Sequence, residues 1–265
     1  MLKVKPATRV VLWVVAAIVS IWLVAPTLVV IPLSFTDKAS LVFPPTGWSL
    51  RWYESFFSNP QWTGALWNSF LIGILVALVA TVLGLLAAMG LRNLVNKKLA
   101  GALTVGLLAP MVVPGIVLAI GTYAVFLKLG LLGTLVGFVA AHTVLALPFT
   151  VVAITAGFAN FDERLELASQ SLGASPVKTF FKVTLPNIVP GMVSGALFAF
   201  VTSFDEVMVS LFIKSPYLQT LPVLMYSSVT RDTDPTLAAA ATVILILTTA
   251  IVIGALVFTG RKQRA

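Results

Sequence analysis

The chain has no cysteine, a single histidine, and charge on only 10% of its residues. The missing thiols remove disulfides, thiolate catalysis and zinc-thiolate sites together. The lone histidine, His142, stands in "AAHTVLALPF" with no acidic residue beside it on its own segment. It reads as a hydrogen-bonding packing residue, with a proton relay as the alternative. No Ser/His/Asp arrangement, carboxylate dyad or metal-ligand cluster is present, so nothing in the chain points to an enzyme or to a cofactor of its own. The phosphate-cradling pattern GxxxxGK[ST] is also missing, so any energy from ATP must be supplied by a partner.

What the chain does have is apolar sequence: 59% hydrophobic residues and a mean hydropathy of +1.04, too much for a domain folded in water. Stretches long enough to cross a bilayer, about 20 residues each, run over 10–33, 66–91, 103–127, 134–158, 188–213 and 237–258. "GILVALVATVLGLLAAMG" (73–90) is apolar all round and lacks the alternation of a membrane barrel strand, so the six spans predict an all-α polytopic membrane protein. The first span is too long for the apolar core of a secretion signal and stays as an anchor.

Positive charge is retained on the cytoplasmic side of a membrane. With both termini inside, Lys3, Lys5, Arg9, Arg92, Lys97, Lys98, Arg164, Lys178, Lys182, Arg261, Lys262 and Arg264 are cytoplasmic, twelve of the 17 Lys and Arg. This asymmetry accounts for the net charge of +8. With no basic block interleaved with aromatics, it excludes a nucleic-acid partner.

The connections are unequal. Residues 34–65 include "FPPTGWSLRWYESFF", whose Trp48, Trp52, Tyr53 and Phe57 predict a segment along the membrane interface; a binding surface is the alternative. Residues 214–235 are polar enough to be wet, and 128–133 form a tight turn. In 188–213, Gly191 and Gly195 make a GxxxG that packs either on a partner chain or within the chain. Pro110 and Pro114 either interrupt or merely kink the third span.

One polar stretch stands on the cytoplasmic side, "LASQSLGASPVKTFFKVTLP" (167–186). From Asp162, Leu165, Ala168 and Leu172 recur at helical spacing, and Gly173 supplies a left-handed cap. Ser175 and Pro176 read as N-cap and first-turn proline of a second helix, with Val177, Phe180 and Phe181 opposite Lys178 and Lys182. Leu185-Pro186 marks the return to the membrane. The expectation is a helix-turn-helix elbow over 162–186, either lying on lipid headgroups or docking on a partner.

That run resembles the cytoplasmic loop signature of permease subunits in binding-protein-dependent ABC importers: Glu-Ala-Ala, three residues, Gly, nine residues, Ile, one residue, Leu-Pro. Aligned on Gly173, the positions are Leu167, Ala168, Ser169, Val183 and Leu185-Pro186, so spacing is kept while three of seven residues differ. The signature glutamate is replaced by Leu167, and Glu166 stands one residue early. "NSFLIGILVALVATVLG", "HTVLALPFTVVAI", "SFDEVMVSLFI" and "LPVLMYSSV" are similar to the spermidine/putrescine branch of these permeases, notably its second permease subunit. The resemblance implies a type I ABC importer permease fold in the bacterial inner membrane, working with a second homologous permease, two nucleotide-binding subunits that hold ATP and Mg, and an external substrate-binding protein. It also implies that Glu166, Leu167, Ala168, Ser169, Gly173, Ala174, Ser175, Pro176, Leu185 and Pro186 form the ATPase-coupling element. The solute it implies is a polyamine; opines, phosphonates and other small amine-containing solutes are alternatives, and a self-sufficient carrier or channel is the other class.

Asp205 and Glu206 are the acidic pair inside the fifth apolar run. On a straight helix Asp205 lies roughly 12 Å inside the outer end at Ile213, where exposure to lipid costs several kcal/mol. Either the pair is structural, or Asp205 lines the substrate path with Glu206 in a packing or gating contact and Met208 and Val209 closing an outer gate.

Overall fold

A backbone surrounded by apolar side chains and lipid must satisfy its own polar groups, and helices do so within one segment. The computed structural model describes residues 6–231 and 234–262. Among the described residues the only β pairing is an isolated bridge between Thr36 and Trp48, and the rest of the regular structure is helical. Five helical stretches are long and apolar enough to cross a membrane: Thr8–Ser34, Pro60–Asn93, Leu135–Ala159, Pro176–Phe204 and Thr236–Ala255; a bent pair, Lys97–Met111 with Gly115–Leu129, makes a sixth if counted as one span. The chain divides into two compact units, Met1–Thr63 with Ser227–Leu247 and Gly64–Tyr226 with Thr248–Ala265.

In the first unit, α1 (Pro6–Ser34) leads into a folded connection and then α2 (Arg51–Ser58). Ser49 N–H donates to Phe35 O at 2.7 Å and Asp37 N–H to Gly47 O at 3.3 Å. A Cβ on Gly47 would sit 2.6 Å from Asp37 Cγ, so a larger residue there would displace the Asp37 carboxylate. The four aromatics expected along the interface divide. Trp52 Nε1 donates to Thr36 O at 2.8 Å and Tyr53 OH bonds Ser34 Oγ at 2.7 Å, whereas Trp48 and Phe57 are exposed. The segment is thus a built clasp and not only an interfacial strip.

The second unit is organised around α6 (Leu135–Ala159) packed on α9 (Leu185–Phe204). Small residues set their closeness: a Cβ on Gly191 would lie 3.0 Å from Ala153 O and 3.2 Å from Gly157 Cα, and one on Gly195 3.2 Å from Thr150 Cα. The GxxxG is therefore spent within the chain, where small residues let backbones approach. α3 (Pro60–Asn93) joins the pair through Thr150 Oγ1, which donates to Ala80 O at 3.0 Å. Ile72 and Val76 of α3, Phe138 of α6, Ala199 of α9 and Val209 and Ile213 form one buried cluster.

Two expected spans are not straight. The third is α4 (Lys97–Leu108) and a 3-10 turn (Ala109–Met111), then α5 (Gly115–Leu129), with the halves bent by 97°. Pro114 has no N–H to give and disfavours helix at Val113, which makes the break an interruption and not a mild kink. The fifth ends at Phe204 and restarts as α10 (Met208–Ile213), so a depth for Asp205 counted along a straight helix does not hold. α10 packs on α5, and Gly133 N–H donates to Ile213 O at 2.8 Å, pinning α10 to the expected tight turn. Residues 214–235 are not simply wet either: they contain α11 (Leu221–Arg231), with Leu221 and Val223 buried. The last helix is α12 (Thr236–Lys262).

Candidate functional site

The elbow begins with α7 (Arg164–Ser171) and ends it by the expected cap. Gly173 has φ +85°; its N–H donates to Gln170 O at 2.9 Å and that of Ala174 to Ser169 O at 3.2 Å. This pair of bonds is the Schellman closure that satisfies the last carbonyls of a helix. Ser175 Oγ then accepts from Lys178 N–H at 3.3 Å, with Pro176 at the first position of α8 (Pro176–Thr179). Beyond this the expectation needs correcting. α8 runs through a π turn (Phe180–Thr184) into α9 without a stop; Leu185 N–H reaches back to Phe180 O across that wide turn. Pro186 follows the π turn directly, inside the continuous run, so its missing N–H falls where the regular ladder is already widened. The elbow's second limb is thus the end of one continuous helix, Pro176–Phe204.

The apolar side chains of the elbow face outward. Leu165, Leu167, Leu172, Val177 and Phe181 are all exposed, Leu172 by 89%, as is Ala168, while Glu166 and Ser169 are half-buried. Ser169 Oγ bonds Thr179 Oγ1 at 3.0 Å, tying the two limbs together. Glu166 meets Arg92 at the end of α3: Nη2 to Oε2 is 2.6 Å and Nη1 to Oε1 is 3.1 Å. Thr184 Oγ1 donates to the same Oε1 at 2.6 Å. Arg92 Nε also reaches Glu163 Oε1 at 3.2 Å, and the guanidinium lies 5.2 Å from the Phe158 ring centre and 5.7 Å from that of Phe161. The Arg92 hydrogen bonds hold the Glu166 carboxyl below the usual carboxylate range, against the opposing effect of partial burial, with Thr184 adding to the shift. Sequence reasoning missed this cluster, because nothing local in either segment marks partners 74 residues apart.

At the far end of α9, the acidic pair occupies the helix break. Glu206 Oε1 accepts from Val209 N–H at 2.6 Å, which occupies one of the free donors at the start of α10. Asp205 is exposed, and among the described residues its carboxylate has no hydrogen bond or ion pair. Met208 is 45% exposed, while Val209 is buried in the core. Met208 lies beside Gly115, whose Cβ would stand 3.9 Å from Met208 Cβ, so the two helix breaks adjoin. His142 straddles the break from α6: Nδ1 bonds Ser203 Oγ at 2.9 Å and Nε2 bonds Ser210 Oγ at 2.8 Å. With the ring fully buried and both nitrogens used, His142 is the hydrogen-bonding packing residue expected. Neither partner was legible beforehand.

Comparison with known proteins adds a second line. The family described as "Binding-protein-dependent transport system inner membrane component" matches residues 80–264. The putrescine transport system permease protein PotI of Escherichia coli K12 is 31% identical over 233 residues, covering 84% of this chain and 82% of the relative. The spermidine/putrescine transport system permease protein PotC of Haemophilus influenzae is 31% identical over 240 residues, covering 89% and 91%. Among solved structures, a bacterial ABC transporter involved in import of the acidic polysaccharide alginate matches with a TM-score of 0.73 at 15% identity, covering 96% of each chain. The MetNI methionine ABC transporter matches with a TM-score of 0.63 at 18% identity, covering 76% of this chain and 95% of the other. These two likenesses concern the fold.

Proposed function

Because the chain belongs to the family of inner-membrane components of binding-protein-dependent transport systems, we propose that it forms, with a second homologous permease, the passage by which a small polyamine cation is imported. It is a multi-pass permease component of an ABC importer and not an enzyme; in this family ATP is hydrolysed in a separate subunit. The whole chain acts as one transmembrane permease domain with both termini cytoplasmic. An external binding protein delivers the solute, and two nucleotide-binding subunits holding ATP and Mg drive the cycle. The orientation is supported by the twelve of 17 Lys and Arg that fall on the elbow's side of the predicted spans.

The observation that carries the substrate class is the 31% identity, over most of the chain, to permeases named for putrescine and for spermidine/putrescine. The unpaired Asp205 carboxylate suits a cationic solute, giving it passing compensation while Glu206 keeps α10 capped. Met208 lies at the gate and Val209 anchors α10 behind it. The elbow docks its exposed Leu165, Leu167, Leu172, Val177 and Phe181 in a cleft of the ATPase subunit, with Gly173, Ala174, Ser175 and Pro176 holding its shape. Closure of the ATPase pair then pushes on the cytoplasmic end of the Pro176–Phe204 helix and reorients the passage between two global states.

The test is reconstitution of both permeases, the ATPase and the neighbouring binding protein in proteoliposomes. ATP-dependent uptake of labelled putrescine or spermidine is expected. Uptake of a phosphonate or an opine in its place overturns the substrate class, and uptake without the ATPase overturns the importer.

A further inference from the structure

The family signature has a glutamate where this chain has Leu167, and the neighbouring Glu166 points the other way, into the molecule. Its carboxylate is engaged on both oxygens: Arg92 of α3 holds Oε1 and Oε2, and Thr184 of the π turn donates to Oε1. Arg92 and Glu166 side chains are only 21% and 22% exposed. Three elements, one of them 74 residues away in the sequence, therefore meet at one carboxylate. A bidentate guanidinium-carboxylate pair fixes orientation as well as distance, and the Phe158 and Phe161 rings flank the guanidinium.

We propose that Glu166 is a positioning residue and not a docking contact: with Arg92 and Thr184 it braces the elbow to α3 and to the root of the Pro176–Phe204 helix, so that force on the elbow moves both membrane helices together. This rests on the reading of the elbow as the ATPase-coupling element. Without the brace, α7 is held to the second limb chiefly by the Gly173 turn and the Ser169–Thr179 bond, and a push on α7 is absorbed by hinging at that turn. With it, α7, α3 and α9 share one displacement. The exposed apolar side chains of the elbow are left to do the docking, which explains how the chain dispenses with a glutamate at 167.

The native chain has no cysteine, so the brace can be read by spin labels on Ser171→Cys and Val95→Cys in the assembled transporter in nanodiscs. A narrow distance distribution that is unchanged by ATP is expected. In Glu166→Gln and in Thr184→Val the distribution broadens, and putrescine imported per ATP falls roughly 3- to 10-fold, while the complex still assembles and hydrolyses ATP. Glu166→Asp retains most of the coupling. The Arg92→Gln/Glu166→Gln double variant loses less than the sum of the losses of the two single variants, as partners in one interaction do. Unchanged coupling and distances in Glu166→Gln, or additive losses in the double variant, overturn the proposal. If Glu166→Gln does not assemble, Thr184→Val decides the matter, since it removes only a hydroxyl. Absence of a cross-link from Leu172→Cys to the ATPase overturns the docking reading alone; the brace is then judged by the label distances, which do not depend on docking.

Discussion

The elbow and the break at Asp205–Val207 stand at opposite ends of the same continuous helix, and they are secured by different chemistry. At the elbow the fastening is ionic and partly wet: Arg92, Glu163 and Glu166, with Thr184 as hydroxyl donor. At the break it is a dry hydrogen-bonded chain, His142 between Ser203 and Ser210, all three buried, with the half-buried Glu206 carboxylate capping α10. The contrast follows from the surroundings. A charged pair keeps part of its hydration at the aqueous end and loses little on pairing, whereas burying charges away from water costs several kcal/mol per ion unless every valence is filled. The one carboxylate left unpaired at the break, Asp205, is exposed and so escapes that cost.

The largest expected effect separates the two ends by function. Asp205→Asn removes the unpaired charge without touching His142, Glu206 or the elbow, and polyamine uptake should fall roughly tenfold or more, about 1.4 kcal/mol or above, with assembly and nucleotide binding preserved. Normal uptake by Asp205→Asn alongside failed assembly of Glu206→Gln would reduce the pair to a structural role. His142→Leu comes next: it leaves Ser203 and Ser210 hydroxyls buried without their partner and should destabilise the detergent-solubilised chain by about 1–3 kcal/mol, read as a lower midpoint in thermal unfolding.

Gly173→Val acts through the backbone alone, since nothing lies within 4 Å of its Cβ position while φ is +85°. A cost of about 1–2 kcal/mol falls on the cap, so uptake per ATP should drop while membrane insertion is normal; Gly173→Asn, which tolerates the left-handed region better, should recover part of it. Ser175→Ala is smaller, about 0.5–1 kcal/mol, and should show as a slight fall in stability only.

Acidity gives the finest distinction. Because the folded Glu166 carboxyl lies below its ordinary range, its contribution is complete above the unfolded value and is lost as pH falls through the folded one. Between pH 8 and 6 the brace should therefore be insensitive, with loss confined to the acid side of the carboxylate range and absent in Glu166→Gln. Label distances across a pH series would check this.

The elbow's turn was legible because its causes are local. Gly173, Ser175 and Pro176 each specify a backbone geometry within a few residues, and each took the conformation expected of it. The continuity of α8 with α9 was not, since Leu185-Pro186 reads as a boundary and a π turn has no sequence mark of its own. The break after Phe204 was hidden for the opposite reason: an acidic pair followed by Met208 and Val209 keeps a helical pattern, and only the side chain of Glu206 turning back to Val209 N–H reveals the new start. Pro110 and Pro114 announced a disturbance in the third span, but not a 97° turn, which depends on α5 packing against α10. The partners of His142 and Glu166 come from other helices and were beyond any local reading.

A helix that runs unbroken from Pro176 to Phe204 also fixes an angle. Each residue adds about 100° of rotation, so the direction in which Asp205 faces is set by the number of residues separating it from Ser175. One inserted residue in α9 would leave every cap and every elbow contact unaltered in sequence, yet swing the break about 100° around the axis. Four inserted residues would come within about 40° of the original direction while moving the break about 6 Å further along. The span is a shaft as well as a spacer, and its phase is as much a part of the transporter's geometry as its length.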